Sequence, residues 1–151
     1  MAVIESRLAE LGYTLPPPPE PIGNYLSATS SGKVMWLTSV GSMRADGSYT
    51  IRKLGENLTV KQGYDAAQWC ALNLLARMKI ELGDLDRVTK ILKVFGMVNC
   101  SSEFGEQAKV FDGASDLFGE QGMHSRSGVG LAVLPRNTAV MVDCVIEFTE
   151  I

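Results

Sequence analysis

The 151-residue chain is short of the residue types on which many catalytic and binding classes depend. It has a single histidine, His124, and three cysteines, Cys70, Cys100 and Cys144, none of them in a CxxC spacing. An odd number of scattered cysteines predicts neither a disulfide framework nor a zinc site. There is no phosphate-binding glycine motif and no Ser-His-Asp order of the kind found in hydrolase triads. We therefore expect reduced, buried thiols in a cytoplasmic protein that holds no metal and no cofactor.

Concentrated positive charge and long apolar runs are also missing. The 14 basic residues are scattered among 17 acidic ones, which leaves a net charge of −3 and a pI of about 5.2. Nucleic-acid binders usually carry a basic face, so nucleic acid is not an expected partner. No stretch approaches the roughly 20 apolar residues of a membrane span. Charged residues within 1–11 also interrupt the apolar region that a signal peptide requires, so no membrane partner is expected.

What the chain does contain fits one folded domain with a short extension. Apolar residues make up 46% of the sequence, which is ample for a single packed core. Segment 1–20 predicts a short amphipathic helix over 2–11 and then an extended connector, because the prolines at 16–19 exclude helix. Residues 21–151 form the domain itself. Apolar residues at helical spacing, and alternating or β-branched runs, predict helices over 60–82 and 104–119 and strands over 25–28, 33–40, 49–51, 88–98, 126–134 and 139–147.

This order of elements predicts an α+β fold, with one mixed sheet and two helices packed on one of its faces. The last two strands, 126–134 and 139–147, are expected to form a hairpin through the turn at 135–137. The strand 33–40 is apolar on both faces, so we expect it to lie inside the sheet. Because a second apolar sheet face must be covered, we also expect the protein to associate with copies of itself.

Four segments, taken in order, match a known family pattern. They are Ile22-Gly23-Asn24-Tyr25, Gly32-Lys33-Val34 with Leu37-Thr38-Ser39, Leu82 to Lys90 with Val94-Phe95, and Arg126-Ser127-Gly128-Val129 with Leu134-Pro135. They span about residues 21–148, and with them the chain resembles a divergent member of the RidA/YjgF family, also labelled the endoribonuclease L-PSP family. The resemblance implies a chorismate-mutase-like fold of the bacterial trimeric type, with ligand clefts between the subunits of a homotrimer. It also implies hydrolytic deamination of small reactive imines and enamines, such as 2-aminoacrylate, to 2-keto acids and ammonia.

The same resemblance points to candidate site residues. Arg126 opens the C-terminal signature, and its guanidinium is suited to hold the carboxylate of an imino acid; the alternative is a surface arginine at a strand start. Tyr25 lies in the entry segment, where its hydroxyl would contact ligand or water, or its ring would pack at the subunit boundary. We expect these two residues to be catalytic. Ser39 and Gly41 lie where the family's Ser-Gly-Gln turn supplies ligand contacts, although here the glycine is displaced and the glutamine is absent.

Met141 is the main departure from the family pattern, because the deaminating members carry a glutamate there. A carboxylate can position or activate water, and a thioether cannot. Asp143 projects from the same face of the strand two residues later, so it either substitutes for that glutamate or is a second, structural acid. His124 would titrate near neutral pH and shuttle a proton, unless it is a solvated loop residue. Gly128 is a further departure, because a cysteine often follows the Arg-Ser pair.

Two functions stay open at this point. The first is an imine/enamine deaminase with Arg126 as the carboxylate anchor. The second is a non-catalytic trimer that binds a small carboxylate metabolite, which the thioether at Met141 favours. A ribonuclease activity, the label historically attached to the family, is disfavoured by the acidic balance and the lack of a histidine pair.

Overall fold

The computed structural model describes residues 3–119 and 123–151, so Ala2, the predicted first residue of the N-terminal helix, lies outside the described residues. None of the helices in these ranges is long and apolar enough to cross a membrane. Within the described ranges, single turns of 3₁₀ helix occur at Leu85–Arg87 and Pro135–Asn137. The main elements in chain order are α1 (Val3–Glu10), β1 (Ala28–Ser31), β2 (Val34–Val40), α2 (Val60–Leu82), β3 (Val88–Asn99), α3 (Gln107–Phe118), β4 (Ser125–Leu131) and β5 (Val140–Phe148).

The strands form one mixed sheet in the order β1-β2-β5-β3-β4. Neighbouring strands are antiparallel except β3 and β4, which run parallel. Helices α2 and α3 pack on one face of this sheet. The α+β prediction with two helices on one face is therefore confirmed, and β2 lies inside the sheet as expected. Alternate residues of β5 are buried under the helices: Val140, Val142, Cys144 and Ile146.

Helix α2 begins and ends where the sequence predicts. Thr59 and Gln62 form a reciprocal capping box at its start, which satisfies two otherwise unpaired backbone donors. Gly83, at φ 81°, ends the helix and donates its N–H to the carbonyl of Lys79 at 2.7 Å. The apolar stripe of α2 lies against the sheet and α3, so local signals and burial agree along the whole element.

The predicted C-terminal hairpin is wrong. Strand β4 pairs with β3, in a register that places Gly128 beside Gly96, while β5 lies between β2 and β3. Two adjacent parallel strands need a crossover connection, and α3 supplies it. Strand β5 takes the central position because its alternate apolar residues are almost fully buried. The turn between β4 and β5 carries two residues with positive φ, Arg136 and Asn137.

Two predicted strands near the N-terminus are also corrected. Strand β1 begins at the residue where the predicted strand 25–28 ends, so Tyr25 precedes the sheet. The predicted strand 49–51 is reduced to a single bridge between Ile51 and Thr138. Smaller shifts move the start of α3 to Gln107 and the end of β4 to Leu131.

The face of the sheet opposite the helices is apolar and is not covered within one chain. Trp36, Val129 and Leu131 project there with 47%, 38% and 38% of their surface exposed. Phe95 and Met97 lie half-buried beside them on β3. An uncovered apolar sheet face of this kind is typical of an interaction surface, so self-association stays a prediction with a structural reason.

All three cysteines are free and buried, as the sequence predicts. Burial raises the pKa of the Cys70 and Cys144 thiols far above neutrality. Because the thiolate is the reactive form, these two residues act as core side chains rather than nucleophiles.

Candidate functional site

A cavity of about 170 Å³ lies between the proline connector, the end of β2 and the turn before β5. An engineered apolar cavity of about 150 Å³ admits benzene, so this space suits a small organic molecule. We call it the Tyr25 pocket. Its lining residues, most of them apolar or uncharged, are Pro19, Glu20, Pro21, Ile22, Tyr25, Ser27, Thr38, Ser39, Val40, Gly41, Tyr49, Ile51, Arg77, Pro135, Arg136, Thr138 and Met141.

An irregularity in β2 shapes one wall of the Tyr25 pocket. The pairing of β2 with β5 shifts register just before Val40, so that Thr38 and Ser39 together stand opposite Asp143. Two residues opposite one is the pattern of a β-bulge, which re-aims side chains and interrupts the regular hydrogen-bond ladder. The bulge directs the chain at Ser39 toward the pocket, where Met141 of β5 also contributes to the lining.

Gly41 is required by the close packing at the pocket wall. A Cβ on Gly41 would lie 3.0 Å from Cε1 of Tyr49, which is tighter than ordinary contact. The chain that follows is held by Asn73, a fully buried residue of α2 whose Nδ2 donates to the carbonyl of Met43 at 2.8 Å. Residues Tyr49 and Asn73 therefore fix the position of Gly41 from both sides of the chain.

Tyr25 is placed by the segment that precedes it. Its hydroxyl accepts a hydrogen bond from the backbone N–H of Ile22 at 3.3 Å, and 47% of the residue is exposed. The ring therefore closes a short loop and still reaches both the pocket and solvent.

Three charged residues line the Tyr25 pocket, and the sequence predicted none of them. Arg77 of α2 and Arg136 of the turn before β5 are positive, and Glu20 of the connector is negative, so the lining carries one net positive charge. The Arg77 side chain is only 8% exposed and donates from Nη2 to the carbonyl of Pro19 at 3.0 Å and to Oε1 of Glu20 at 3.2 Å. The available signal for Arg77 was an arginine inside the apolar stripe of α2, one turn after the polar Asn73.

Arg126 lies elsewhere in the chain, on the helix face of β4. Its Nη1 donates to Oδ1 of Asp112 at 2.9 Å and to Oγ of Ser115 at 2.9 Å, and its Nη2 donates to the carbonyl of Ala108 at 3.2 Å. All three acceptors belong to α3. Because a guanidinium has five N–H donors, about two stay uncommitted among the described residues. The side chain is 23% exposed, so it is anchored and still reachable.

His124 packs beside Arg126 and does not extend freely into solvent. Its Nε2 lies 2.9 Å from Oγ of Ser115, and the Phe118 ring meets the imidazole edge-on with 6.0 Å between centroids. Burial, and secondarily the positive charge of Arg126, lowers the pKa of His124. Both effects favour the neutral imidazole, which shares the Ser115 hydroxyl with Arg126.

Phe111 gives a physical reason for Gly128 at the position where the family often has cysteine. The fully buried Phe111 ring lies across the neighbouring glycines Gly96 and Gly128, and a Cβ on either one would come within 2.4 Å of ring carbons. The ring occupies the space that a larger side chain at Gly128 would need. It also clamps α3 to β4 two residues after Arg126.

Asp143 stands apart from both groups. It projects from the open face of β5, half-buried, opposite the β2 bulge, and it is not among the residues that line the Tyr25 pocket. Burial raises the pKa of its carboxyl group above the usual range. The sequence-predicted site residues thus separate into a pocket group (Tyr25, Ser39 and Gly41), an Arg126 group that includes His124, and Asp143.

The described residues contain no group of three side chains able to hold a metal ion. The two groups of residues can support anion binding by arginine, hydrogen bonding, and proton transfer by acidic or imidazole groups.

Comparison with known proteins places this geometry in a family. The model of the family described as "YjgF/chorismate_mutase-like, putative endoribonuclease" matches residues 5–148. Protein TCP17 of Trypanosoma cruzi is 40% identical over 152 residues, covering 97% of this chain and 95% of that protein. The crystal structure of Atu1372 from Agrobacterium tumefaciens, whose function is unknown, superposes with a TM-score of 0.90 at 38% identity, covering 97% of this chain and 93% of that one. A Shewanella oneidensis MR-1 protein with the same endoribonuclease label gives a TM-score of 0.91 at 33% identity, covering 96% and 99%.

Proposed function

The chain belongs to the RidA/YjgF family, with the chorismate-mutase-like fold, and on that premise we propose that it hydrolyses small reactive imines and enamines to 2-keto acids and ammonia. The reference substrate is 2-aminoacrylate. The observation that carries the proposal is the arrangement of Arg126, whose guanidinium is held by Asp112 and Ser115 and keeps donors for a ligand. An anchored guanidinium binds a carboxylate without first losing its own conformational freedom.

The proposed site is shared between two subunits of a homotrimer. Within one chain, Arg126 lies on the edge strand β4, and the Tyr25 pocket lies beside β2, toward the other edge of the sheet. Packing of the apolar sheet faces of neighbouring chains would bury Trp36, Val129 and Leu131. In the proposed trimer the β4 edge of one subunit would lie at the pocket of the next. Arg126 would then add a carboxylate anchor to a lining that already holds Arg77 and Arg136.

The reaction in this cleft is a hydrolysis with water as the second reactant. 2-Aminoacrylate first tautomerises to its imine as a proton moves from nitrogen to the methylene carbon. With the substrate carboxylate held by Arg126, the water oxygen bonds to the imine carbon and gives up one proton, while the C=N electron pair moves to nitrogen, which takes up a proton. The nitrogen of the resulting carbinolamine takes up a second proton, the C–N bond breaks, and ammonia leaves with the electron pair. The hydroxyl oxygen loses its remaining proton as the C=O bond of the 2-keto acid forms. The Tyr25 hydroxyl and the chain at Ser39 and Gly41 provide contacts to substrate or water.

A second candidate function is a non-catalytic trimer that binds a small carboxylate metabolite. One observation favours it: Met141 lines the Tyr25 pocket at the position where deaminating relatives carry a glutamate. In this case Arg126 and the pocket would hold a keto acid or amino acid without turning it over.

Ammonia release from enzymatically generated 2-aminoacrylate tests the proposal. Wild-type protein should accelerate release, and Arg126→Ala should lose most of the acceleration. Arg126→Lys keeps the charge but not the bidentate geometry, and it should recover only part. Arg7→Ala is the matched control, because Arg7 is an exposed arginine that pairs with Glu10 in α1.

The outcomes separate the two candidate functions. Acceleration by wild type and by Arg7→Ala, but not by Arg126→Ala, supports the deaminase. No acceleration by wild type, together with Arg126-dependent binding of a 2-keto acid in calorimetry, rejects turnover and supports the binding module.

A further inference from the structure

We propose that Glu20, in the proline connector, is the carboxylate that orients and deprotonates the attacking water, and that Arg77 is the residue that positions it. This inference rests on the proposed function. It assigns a chemical role to the N-terminal connector, which lies within the residues 5–148 that the family model matches.

The first reason to assign this role to Glu20 is the composition of the Tyr25 pocket. Hydrolysis of an imine is accelerated by a group that accepts a proton from water. Met141 cannot accept one, and Asp143 does not reach the lining. Glu20 contributes the one carboxylate among the residues that line this pocket in the part of the chain that the structure describes.

The second reason is that Glu20 is held in a defined position. Pro19 and Pro21 flank it and restrict the backbone on both sides. Arg77, with its side chain 8% exposed, donates from one nitrogen both to the Pro19 carbonyl and to Oε1 of Glu20. Because Arg77 is fixed in α2, it sets the position of the connector backbone and of the carboxylate at the same time.

The third reason is that the Glu20 side chain is accessible to water. Its side chain is 75% exposed, whereas that of its partner Arg77 is buried. Since Arg77 contacts Oε1 and most of the side chain is exposed, we assign the other oxygen, Oε2, to the water molecule. Because the Arg77 side chain is buried, a change at Glu20 removes the partner of a buried charge, so the test measures the integrity of the connector together with activity.

In the proposed step, Oε2 of Glu20 takes a proton from water as the water oxygen bonds to the carbon of the protonated imine and the C=N electron pair moves to nitrogen. The neutral carbinolamine and protonated Glu20 result. Glu20 then returns its proton to the amine nitrogen, and the C–N bond breaks to release ammonia. The hydroxyl proton passes to the leaving ammonia or to solvent as the C=O bond forms. The sum is protonated imine plus water giving 2-keto acid plus ammonium.

The test compares Glu20→Gln with Glu10→Gln in the 2-aminoacrylate assay. Glu10 is a matched control, because it too is an exposed glutamate 3.2 Å from an arginine, and it is not among the residues that line the pocket. General-base catalysis is typically worth about 10²–10⁴-fold, so we expect Glu20→Gln to lower kcat by at least about tenfold with little change in KM. The acid limb of the kcat–pH profile should disappear in the same variant. Met141→Glu in the Glu20→Gln background should restore part of kcat, because it returns a carboxylate to the pocket.

Each outcome bears on a different claim. If wild type is active and Glu20→Gln matches Glu10→Gln in kcat, the role of Glu20 is refuted while the deaminase remains. A different result is that Glu20→Gln loses activity, its connector becomes sensitive to protease, and its pH profile keeps the acid limb. In that case Glu20 only holds the connector in place, and the inference is refuted. If wild type itself is inactive, the proposed function fails and this inference falls with it. Loss of kcat and of the acid limb, with the connector intact, supports it.

Discussion

Gly128→Ala is expected to destabilise the protein and to weaken the hold of α3 on Arg126. The added Cβ would lie 2.4 Å from Cδ2 and 2.5 Å from Cε2 of Phe111, where carbon atoms normally keep about 3.5–4.0 Å. Phe111 is fully buried and cannot tilt away, because its other ring edge already lies against Gly96. Either the ring or β4 must therefore move by about 1 Å.

Overpacking of this kind costs about 1–3 kcal/mol. At about 2–4 °C per kcal/mol for a domain of this length, the melting temperature should fall by roughly 2–12 °C. Because Arg126 lies two residues before Gly128 on the same strand face, its contacts with Asp112 and Ser115 should loosen as well. Thermal unfolding by circular dichroism at fixed protomer concentration measures the first effect, and the ammonia assay measures the second.

Two further variants make the test specific. Gly105→Ala is the control, since a Cβ there meets nothing within 4 Å and its stability should match wild type. Phe111→Leu should relieve the clash, so the double variant with Gly128→Ala should lose less stability than the sum of the single changes. Equal stability of Gly128→Ala and wild type, or strict additivity in the double variant, would refute the packing argument.

Two other predictions concern pH. Burial raises the pKa of Asp143 above 3.8, so the folded state binds a proton more tightly than the unfolded state does. The protein therefore loses stability as the pH rises through the folded-state pKa. We expect Asp143→Asn to raise the melting temperature at pH 7 and to give no gain below about pH 4. Burial and the charge of Arg126 lower the pKa of His124 below 6.5, so the unfolded state takes up a proton at a higher pH than the folded state does. The free energy of unfolding therefore falls as the pH drops below 6.5. His124→Gln should make the free energy of unfolding depend less on pH in this range, and an unchanged slope would contradict the prediction.

Local signals explain why much of the fold could be predicted. The bounds of helix α2 could be predicted closely, because Thr59 caps it, Gly83 ends it, and a long apolar stripe lies between them. The position of β5 could not be predicted in this way. The order of strands depends on how they pack together over the whole sheet. The short turn at 135–137 is compatible both with a β4–β5 hairpin and with the observed arrangement, in which β5 lies between β2 and β3.

The candidate site was predictable only in part for the same reason. The resemblance identified Tyr25, Ser39 and Gly41, which the fold brings into one pocket. It also identified Arg126, which the fold places on β4, at the opposite edge of the sheet. Arg77 and Glu20 are 57 residues apart in sequence and meet because the connector packs along α2. No periodicity in the sequence signals that contact.

The most direct test of the central claim, that the Tyr25 pocket of one subunit and Arg126 of another form one imine-hydrolysing site, is complementation by mixed trimers. Tyr25→Ala and Arg126→Ala should each be inactive alone. After unfolding and refolding together in equal amounts, about a quarter of the sites in randomly mixed trimers would combine two intact halves. We predict recovery of ammonia release to about a quarter of the wild-type rate; mixed trimers that form but stay inactive would contradict the account.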